Sequence, residues 1–269
     1  MENYSVLMTV YIKDNPHFIK QSIDSIYNQT YRTNDFVLIC DGEITVEQES
    51  LVSYYQKEFE NFHVIRLPQN VGLGVALKTG LTYCVNELVA RMDNDDIALH
   101  ERCESQVKFM MQNPEVAIVG SPVIEFDSTP ESPIRIKKVP LSNEEIKKFS
   151  RRRNPFNHST VMLRKSKIMS VGSYNDMRTN QDVELWVRTL NNGFIGANLS
   201  KPLVYFRFDE NTYKRRKTWK NVNLLINVWK DFLKNRYCNL FDFLVVLFTQ
   251  LAIFLMPTFL LKWVYNRFR

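Results

Sequence analysis

Short apolar runs alternate with helical hydrophobic patterns from residue 4 to residue 120 of the chain. Runs rich in Val, Ile and Leu predict strands, and apolar residues repeated every three or four positions predict helices. The predicted strands are 4–10, 35–40, 62–67, 88–92 and 116–120. The predicted helices are 19–27, 46–59, 71–87 and 99–113. Such repeated strand–helix units predict an α/β fold, with a mostly parallel central sheet flanked by helices.

The pattern changes after residue 120, where four prolines interrupt residues 121–140. This segment predicts a connecting hairpin, since proline is excluded from the interior of a sheet. The further predicted elements are a helix at 142–151, a strand at 160–163, and helices at 181–192 and 211–236. The most apolar stretch, 240–265, follows them. We therefore divide the chain into an α/β domain, 1–210, and a helical C-terminal region, 211–269.

Charge is spread unevenly along the 269 residues, which carry a formal net charge of +6. Residues 201–269 hold 13 of the 35 basic and 4 of the 29 acidic side chains, so this tail is +9 and the body is −3. A basic tail predicts an anionic partner, either nucleic acid or a membrane surface. The 45% hydrophobic content excludes a disordered polyelectrolyte, and the length allows one large domain or two small ones.

The four cysteines form no Cys-x-x-Cys pair, and none has a histidine at the spacing of a zinc site. We therefore expect reduced thiols, as in a cytosol, and no disulfide framework. The N-terminus lacks the basic start and the long apolar run of a signal peptide. This predicts that the α/β domain stays on the cytoplasmic side of a membrane.

An acidic cluster, Asp93-Asn94-Asp95-Asp96, follows the predicted strand 88–92. Its carboxylates repel one another, so a cation or an array of hydrogen-bond donors is expected beside them. Hard oxygen ligands suit Mg²⁺ or Mn²⁺ held together with substrate phosphates. The alternative is an acidic N-cap for the helix that follows.

Asp41 ends the predicted strand 35–40 and precedes a glycine, which is the pattern of a turn or of a ligand contact. In parallel sheets, ligands bind at the carboxyl ends of the strands, so we expect Asp41 close to the acidic cluster. Gly72 and Gly74 open the next helix, and Arg66 and Lys78 beside them are candidates to reach a diphosphate.

Two further residues, Asp182 and His158, could have either a structural or a functional role. Asp182 opens the predicted helix 181–192, where it is either a helix cap or a general base facing the site. His158 precedes the predicted strand 160–163, and the sequence has no second histidine at metal spacing from it. It is therefore either a structural histidine or an additional candidate metal ligand.

Six ordered segments resemble the family 2 glycosyltransferases with the GT-A fold, in particular the bacterial enzymes of capsule, exopolysaccharide and O-antigen synthesis. The segments are SVLMTVYIKDNPHFIKQSIDSIYNQT, CDG, QNVGLGVALKTGL, ARMDNDDIALHER, NPFNHSTVMLRKS and QDVELWVRTL. Their order along residues 4–193 is more specific than any one of them. The resemblance implies an inverting, metal-assisted transfer of galactose, glucose or N-acetylhexosamine from a UDP-sugar to a lipid-linked saccharide.

The resemblance also implies roles for individual donor-binding residues. Thr9 and Tyr11 match positions that hold the nucleotide base, and Asp41 matches the acid that hydrogen-bonds the uracil ring. Asp93 and Asp95 match the Asp-x-Asp motif of the family. They imply that Asp93 lies near the ribose and that Asp95 binds a Mn²⁺ or Mg²⁺ ion.

On the acceptor side, Asp182 matches the catalytic base, which takes the proton of the acceptor hydroxyl. Gln181 and Trp186, beside it on the same helix, are implied to contact the acceptor. Gln181 stands where the family usually has glutamate.

Residues 243–261 form a run of 19 residues without a charged side chain, and basic residues flank it on both sides. Three interpretations stay open: a transmembrane helix, which needs about 20 apolar residues, a helix or hairpin in the membrane interface, and a buried core helix. Basic ends favour a segment that stays cytoplasmic and attracts anionic lipid. The resemblance implies a polyprenyl-diphosphate-linked acceptor and a place on the cytoplasmic face of the bacterial inner membrane, peripheral or anchored by 240–265.

Two other classes of function are alternatives. A basic nucleic-acid-binding protein would use the tail, but no recognition fold is visible and the acidic cluster has no role in it. A sugar nucleotidyltransferase would use similar carboxylates, but it would make a nucleotide sugar instead of consuming one. The order of the six segments favours the glycosyltransferase, without a nucleic-acid partner.

Overall fold

A computed structural model describes residues 1–208, 218–257 and 260. The strands are β1 (Tyr4–Val10), β2 (Asp35–Cys40), β3 (Phe62–Arg66), β4 (Leu88–Arg91), β5 (Ile97–Ala98), β6 (Val116–Gly120), β7 (Val123–Phe126), β8 (Pro133–Lys137), β9 (Met162–Arg164), β10 (Ile195–Asn198) and β11 (Val204–Arg207). The helices are α1 (Pro16–Tyr27), α2 (Val46–Glu58), α3 (Leu73–Tyr83), α4 (Arg102–Gln112), α5 (Asn143–Ser150), α6 (Lys165–Ser170), α7 (Gln181–Asn191), α8 (Trp219–Lys234) and α9 (Leu240–Leu255).

Two sheets carry the strands. The main sheet has seven strands in the order β10-β6-β9-β4-β1-β2-β3, and the second has four in the order β5-β11-β7-β8. In the main sheet, β1 pairs in parallel with β2 and β4, and β2 pairs in parallel with β3. Only β9 runs antiparallel to its neighbours in this sheet, β4 and β6. The predicted mostly parallel α/β sheet is confirmed, and so are the bounds of β1, β2 and β6.

Helix α3 is shorter than predicted because the residues after it bond to the sheet. The backbone N–H of Val85 donates to Asp35 Oδ2 over 2.9 Å, and that of Asn86 donates to Ser5 Oγ over 3.1 Å. Helix α4 begins at Arg102, not at residue 99, because the short strand β5 comes first and pairs with β11. The sequence pattern missed β5, β10, β11 and α6, which are six residues or fewer in length.

The central strands bury side chains on both faces of the main sheet. In β1, Val6 and Met8 pack with residues of α1, α2 and α4, whereas Leu7 packs with residues of α3 and α7. Successive strand side chains point to opposite faces, so a shift of one residue would expose a whole buried row. This packing fixes the strand register, and with it the edge at which β1, β2 and β4 end.

The C-terminal helices pack on the rest of the protein through α7. Val183 and Val187 of α7 form a buried cluster with Val228, Trp229 and Phe232 of α8. The described part of the long predicted helix is α8, while residues 211–217 and the boundary predicted at residue 210 lie outside the described residues.

Helix α9 leaves several of its large apolar side chains exposed. Of its 16 residues it buries Asp242 and Val246, while Phe248 is 65% exposed and Leu255 is 75% exposed. The interpretation as a buried core helix is therefore wrong. Within the described part of the chain, no helix has the length and apolar character needed to cross a membrane. The predicted run 243–261 continues past α9 into residues that are not described.

Candidate active site

The adjacent parallel strands β1, β2 and β4 end at the same edge of the main sheet, and the predicted donor residues follow them there. Asn94, in the acidic cluster after β4, donates from Nδ2 to the carbonyl oxygen of Thr9 over 2.8 Å and to Asp14 Oδ2 over 2.5 Å. Tyr11 lies just beyond β1 and is 38% exposed. The structure therefore brings Thr9, Tyr11 and the acidic cluster together.

Asp41 organises the loop that leads into α3. Its Oδ1 accepts the backbone N–H of Val71 over 2.7 Å, and its Oδ2 accepts that of Gly72 over 3.0 Å and the side-chain amide of Asn70 over 2.9 Å. Gly72 has a φ of +94°, a conformation that favours glycine. The geometry gives Asp41 a structural role, and its contact with uracil stays a prediction.

The two basic candidates lie at the periphery. Arg66 is half exposed, and its guanidinium contacts Glu49 Oε1 over 2.5 Å. It lines an open groove of about 850 Å³ beside Gly42 and Tyr54. Lys78 is exposed on α3. The structure places Arg66 next to the loop of Asp41, and the diphosphate contacts of both residues stay predictions.

Two arginines hold the acidic cluster. Arg91, buried at the end of β4, forms an ion pair with Asp93. Arg207 donates its backbone N–H to Asp96 Oδ1 over 2.8 Å and its Nε to the carbonyl oxygen of Asp95 over 3.1 Å. The alternative of an acidic helix cap is wrong, because β5 separates the cluster from α4.

The crowding of carboxylates raises the pKa of two acids. Burial raises the pKa of Asp96 well above its usual value, and the charges of Asp95 and Asp93 raise it further. Burial, together with the same two charges, raises the pKa of Asp14 to about 7. The sequence analysis missed Asp14, although its position four residues after β1 is a signal that could have found it.

The fit of a divalent cation can be judged from these surroundings. Asp93 and Asp95 offer hard carboxylate oxygens, and Asp14, whose pKa is raised chiefly by burial and less by their charges, lies beside them. Among residues 1–208, 218–257 and 260, no group of three or more His, Cys, Asp or Glu side chains has the arrangement of a metal site. Mg²⁺ is often held by one or two carboxylates plus substrate phosphates, and the residues present fit that mode.

His158 lies in a buried aromatic cluster. Its Nε2 is 3.1 Å from the hydroxyl of Tyr174, and its ring centroid is 5.9 Å from that of Trp186. Burial and then the charge of Arg91 lower the pKa of His158 to about 4, against the opposing effect of the carboxylates of Asp182 and Asp93. These are the surroundings of a structural histidine, and a role as metal ligand stays a prediction.

Asp182 faces the same cluster from the first turn of α7. Its Oδ2 accepts a hydrogen bond from Asn154 Nδ2 over 2.6 Å. Helix α7 starts after Asn180, which has a φ of +62° and makes no side-chain cap. The charges of Asp182, Arg91 and Asp93 all act on His158, so the predicted base and the first residue of the acidic cluster both lie near this histidine.

The predicted acceptor residues are buried. Trp186 is 0% exposed and packs against Phe156, His158 and Tyr174. Gln181 is 4% exposed. Their contacts with an acceptor stay predictions, and for Trp186 such a contact requires that the ring become accessible.

The loop before α7 packs closely on the loop of Asp41, which the sequence did not indicate. Arg178 donates from Nη1 to Asn70 Oδ1 over 2.9 Å. A Cβ on Gly74 would lie 2.2 Å from the carbonyl oxygen of Asn175 and 2.6 Å from that of Met177. Glycine is therefore required there, and this contact joins the loop before α7 to the loop of Asp41.

Comparison with known proteins defines the class of enzyme. The family model for glycosyl transferase family 2 matches residues 5–177. The chain is 37% identical over 264 residues to the UDP-Gal:alpha-D-GlcNAc-diphosphoundecaprenol beta-1,3-galactosyltransferase of Escherichia coli, covering 98% of this chain and 95% of that protein. It is 36% identical over 227 residues to the amylovoran biosynthesis glycosyltransferase AmsE of Erwinia amylovora, covering 84% of each. The chain belongs to glycosyl transferase family 2, and it is a glycosyltransferase.

Solved structures agree with this assignment at the level of the fold. The mannosyltransferase PcManGT from Pyrobaculum calidifontis, in complex with GDP-Man and Mn²⁺, matches with a TM-score of 0.67 at 15% identity, over 100% of this chain and 76% of that one. TarS 1–349 of S. aureus, in complex with UDP-GlcNAc, matches with a TM-score of 0.63 at 17% identity, over 84% of this chain and 67% of that one. The predicted GT-A fold is confirmed.

Asp14→Asn is expected to stabilise the protein above pH 7 and to change little near pH 4. A carboxyl with a raised folded-state pKa contributes stability below its unfolded pKa and loses it as the pH rises through the folded value. The neutral amide removes this loss, worth roughly 1 to 4 kcal/mol. Urea unfolding at pH 4.5, 6 and 8, with a chelator present, measures the difference. Asp231→Asn, at an exposed position of α8, is the control. A pH-independent effect of Asp14→Asn would contradict the raised pKa of Asp14.

Proposed function

We propose that the enzyme transfers a sugar from a UDP-sugar to a lipid-linked saccharide acceptor in the synthesis of a bacterial surface polysaccharide. The observation that carries this proposal is the arrangement of Asp41, the acidic cluster and Asp182 around one edge of the sheet. The Escherichia coli relative is named for UDP-Gal as donor and a diphosphoundecaprenol-linked sugar as acceptor, and it aligns over almost the whole chain. That alignment supports the same classes of donor and acceptor here.

The proposed reaction is a single in-line displacement with Asp182 as general base. Its carboxylate takes the proton of the acceptor hydroxyl while the oxygen attacks the anomeric carbon, and the bond to the UDP oxygen breaks. The attack comes from the side opposite UDP, so the anomeric configuration inverts. The support is that Asp182 and Asp93 both lie near His158, and that Asn154 donates a hydrogen bond to one carboxylate oxygen of Asp182.

The donor side is assigned to the residues at the strand ends. Thr9, Tyr11 and Asp41 hold the uracil, and Asp93 lies near the ribose. Arg66 and Lys78 complete the donor set at the periphery, where positive charge attracts a diphosphate.

Asp95 and Asp93 would hold the divalent cation, Mn²⁺ or Mg²⁺. When bound, such an ion supplies charge neutralisation of the leaving diphosphate. Arg91 and Arg207 keep the carboxylates of the acidic cluster in place. The structural neighbour solved with GDP-Man and Mn²⁺ supports this assignment only through its shared fold.

The C-terminal helices are assigned to the membrane surface on its cytoplasmic side, as a peripheral attachment. Exposed apolar side chains of α9, among them Phe248 and Leu255, would enter the interface between headgroups and acyl chains. Exposed basic residues of α8, Lys220, Lys230 and Lys234, would face anionic lipid. A lipid-linked acceptor is presented at that surface.

Asp182→Asn is expected to lower sugar transfer by about 10²- to 10⁴-fold and to leave UDP binding unchanged, because the amide cannot accept the proton. Transfer is measured with UDP-sugar and a lipid-linked acceptor, and binding of UDP is measured by calorimetry. Asp176→Asn, an exposed carboxylate in the loop before α7, is the matched control. Near wild-type transfer by Asp182→Asn would remove it from the reaction.

Asp95→Ala is expected to weaken UDP binding in the presence of Mn²⁺ and to abolish the gain in affinity that Mn²⁺ produces. The reason is the loss of a carboxylate that would share the cation with the diphosphate. Calorimetric titration of UDP with and without Mn²⁺ gives both values, and Glu131→Ala, an exposed acid, is the control. An unchanged metal dependence would exclude Asp95 as a ligand.

Phe248→Ser and Leu255→Ser are each expected to weaken binding to vesicles of anionic phospholipid. Full burial of such a side chain is worth roughly 1.5 kcal/mol or more, so the loss is about tenfold. Vesicle flotation measures it, and high salt should weaken binding further. Ile134→Ser, an exposed apolar residue on β8, is the control. Equal flotation of all four proteins would contradict attachment through α9.

A further inference from the structure

The segment that leaves α5 is held by the C-terminal helices through three polar contacts. Trp229 of α8 donates from Nε1 to the carbonyl oxygen of Arg151 over 2.8 Å. The hydroxyls of Tyr237 and Ser150 are 2.6 Å apart. Arg152 Nε donates to Asp242 Oδ1 of α9 over 2.6 Å.

Each of these contacts involves a buried group. Ser150 is fully buried, Trp229 is 2% exposed and Asp242 is 3% exposed. A buried donor or acceptor that loses its partner costs roughly 1–3 kcal/mol, so contacts of this kind order the chain around them. The position of residues 150–152 therefore depends on α8, on α9 and on the turn between them.

The same segment leads directly to Asn154, which holds Asp182. The side-chain oxygen of Asn154 accepts the backbone N–H of Phe156 over 3.3 Å. This leaves its amide nitrogen to donate to Asp182 Oδ2 over 2.6 Å. The amide orientation is thus set by its own backbone, and displacement of residues 150–152 would move the donor away from Asp182.

The C-terminal helices also contact the helix that carries Asp182, α7. Val183, the residue after Asp182, is 2% exposed and packs in the buried cluster with α8. Val187, one turn further on, belongs to the same cluster. The helix that carries Asp182 and the side chain that holds its carboxylate thus rest on the same C-terminal helices.

We propose that α8 and α9 position the catalytic base, with Asn154 as the positioning residue that links them to Asp182. The inference rests on the proposed role of Asp182. It gives α8 and α9 a role in the reaction besides membrane attachment. The helices that form the surface for the lipid-linked acceptor also position Asp182. The three polar contacts and the cluster of α7 with α8 include none of the proposed donor residues.

This arrangement predicts a separation between turnover and donor binding. A misplacement of about 1 Å in a reacting group can lower turnover by about a hundredfold, whereas groups that only bind the donor are unaffected. The double variant Trp229→Phe with Tyr237→Phe removes two of the three contacts and keeps an aromatic ring at each position. We expect its kcat to fall about tenfold or more, with an unchanged KM for the UDP-sugar.

A mutant cycle tests whether the effect passes through Asn154. Asn154→Ala is expected to lower kcat to a similar degree. The triple variant, which combines Asn154→Ala with Trp229→Phe and Tyr237→Phe, is expected to have the kcat of Asn154→Ala within about twofold. If the two sets of substitutions acted independently, their fold-reductions in kcat would multiply in the triple variant. A detergent-dispersed acceptor removes the contribution of membrane attachment. Trp219→Phe, which changes the exposed tryptophan at the start of α8, is the matched control and should match the wild type.

Hydrogen exchange gives a second measurement that needs no turnover. In the double variant, amides of residues 150–157 and of the first turn of α7 are expected to exchange faster, whereas those of α3 keep their protection. Wild-type turnover in the double variant, multiplying effects in the cycle, or unchanged exchange would each overturn the inference. A wild-type enzyme that transfers no sugar from any UDP-sugar would overturn the proposed function, and this inference with it.

Discussion

Repulsion among carboxylates at one edge of the sheet is the constraint on which the site depends. Asp93, Asp95 and Asp96 follow a single buried strand, and such a concentration of negative charge is stable only with compensation. Arg91 from the same strand forms an ion pair with Asp93, and the backbone N–H of Arg207 from the second sheet donates to Asp96. The second sheet therefore does more than extend the core, because its last strand supplies hydrogen-bond donors to the acidic cluster.

The loops around this edge are joined to one another across the site. Asp41 holds the loop before α3, and Arg178 ties that loop to the segment before α7. Asn154 then holds Asp182 from the other direction. The loop of Asp41 and the segment before α7 are thus joined to one another, and the C-terminal helices contact the residues that lead to Asn154.

The sequence predicted much of this molecule because its signals are local. The strand bounds 4–10 and 35–40 follow from apolar runs, and the positions of Asp41 and the acidic cluster follow from the strand ends. What the sequence could not predict depends on distant contacts: Arg207 comes from a strand of only four residues, and Asn154 reaches Asp182 from a loop. His158 could not be decided from spacing, since its surroundings come from residues far apart in the chain.

The central claim is that this site consumes a UDP-sugar and passes the sugar to a lipid-linked acceptor. A panel of nucleotide sugars, with Mn²⁺ or Mg²⁺ and a polyprenyl-diphosphate-linked saccharide, measures it through release of the nucleoside diphosphate. UDP release that depends on the acceptor is expected, with a glycosylated lipid as the second product. Release from no UDP-sugar, or synthesis of a nucleotide sugar from a sugar phosphate, would contradict it.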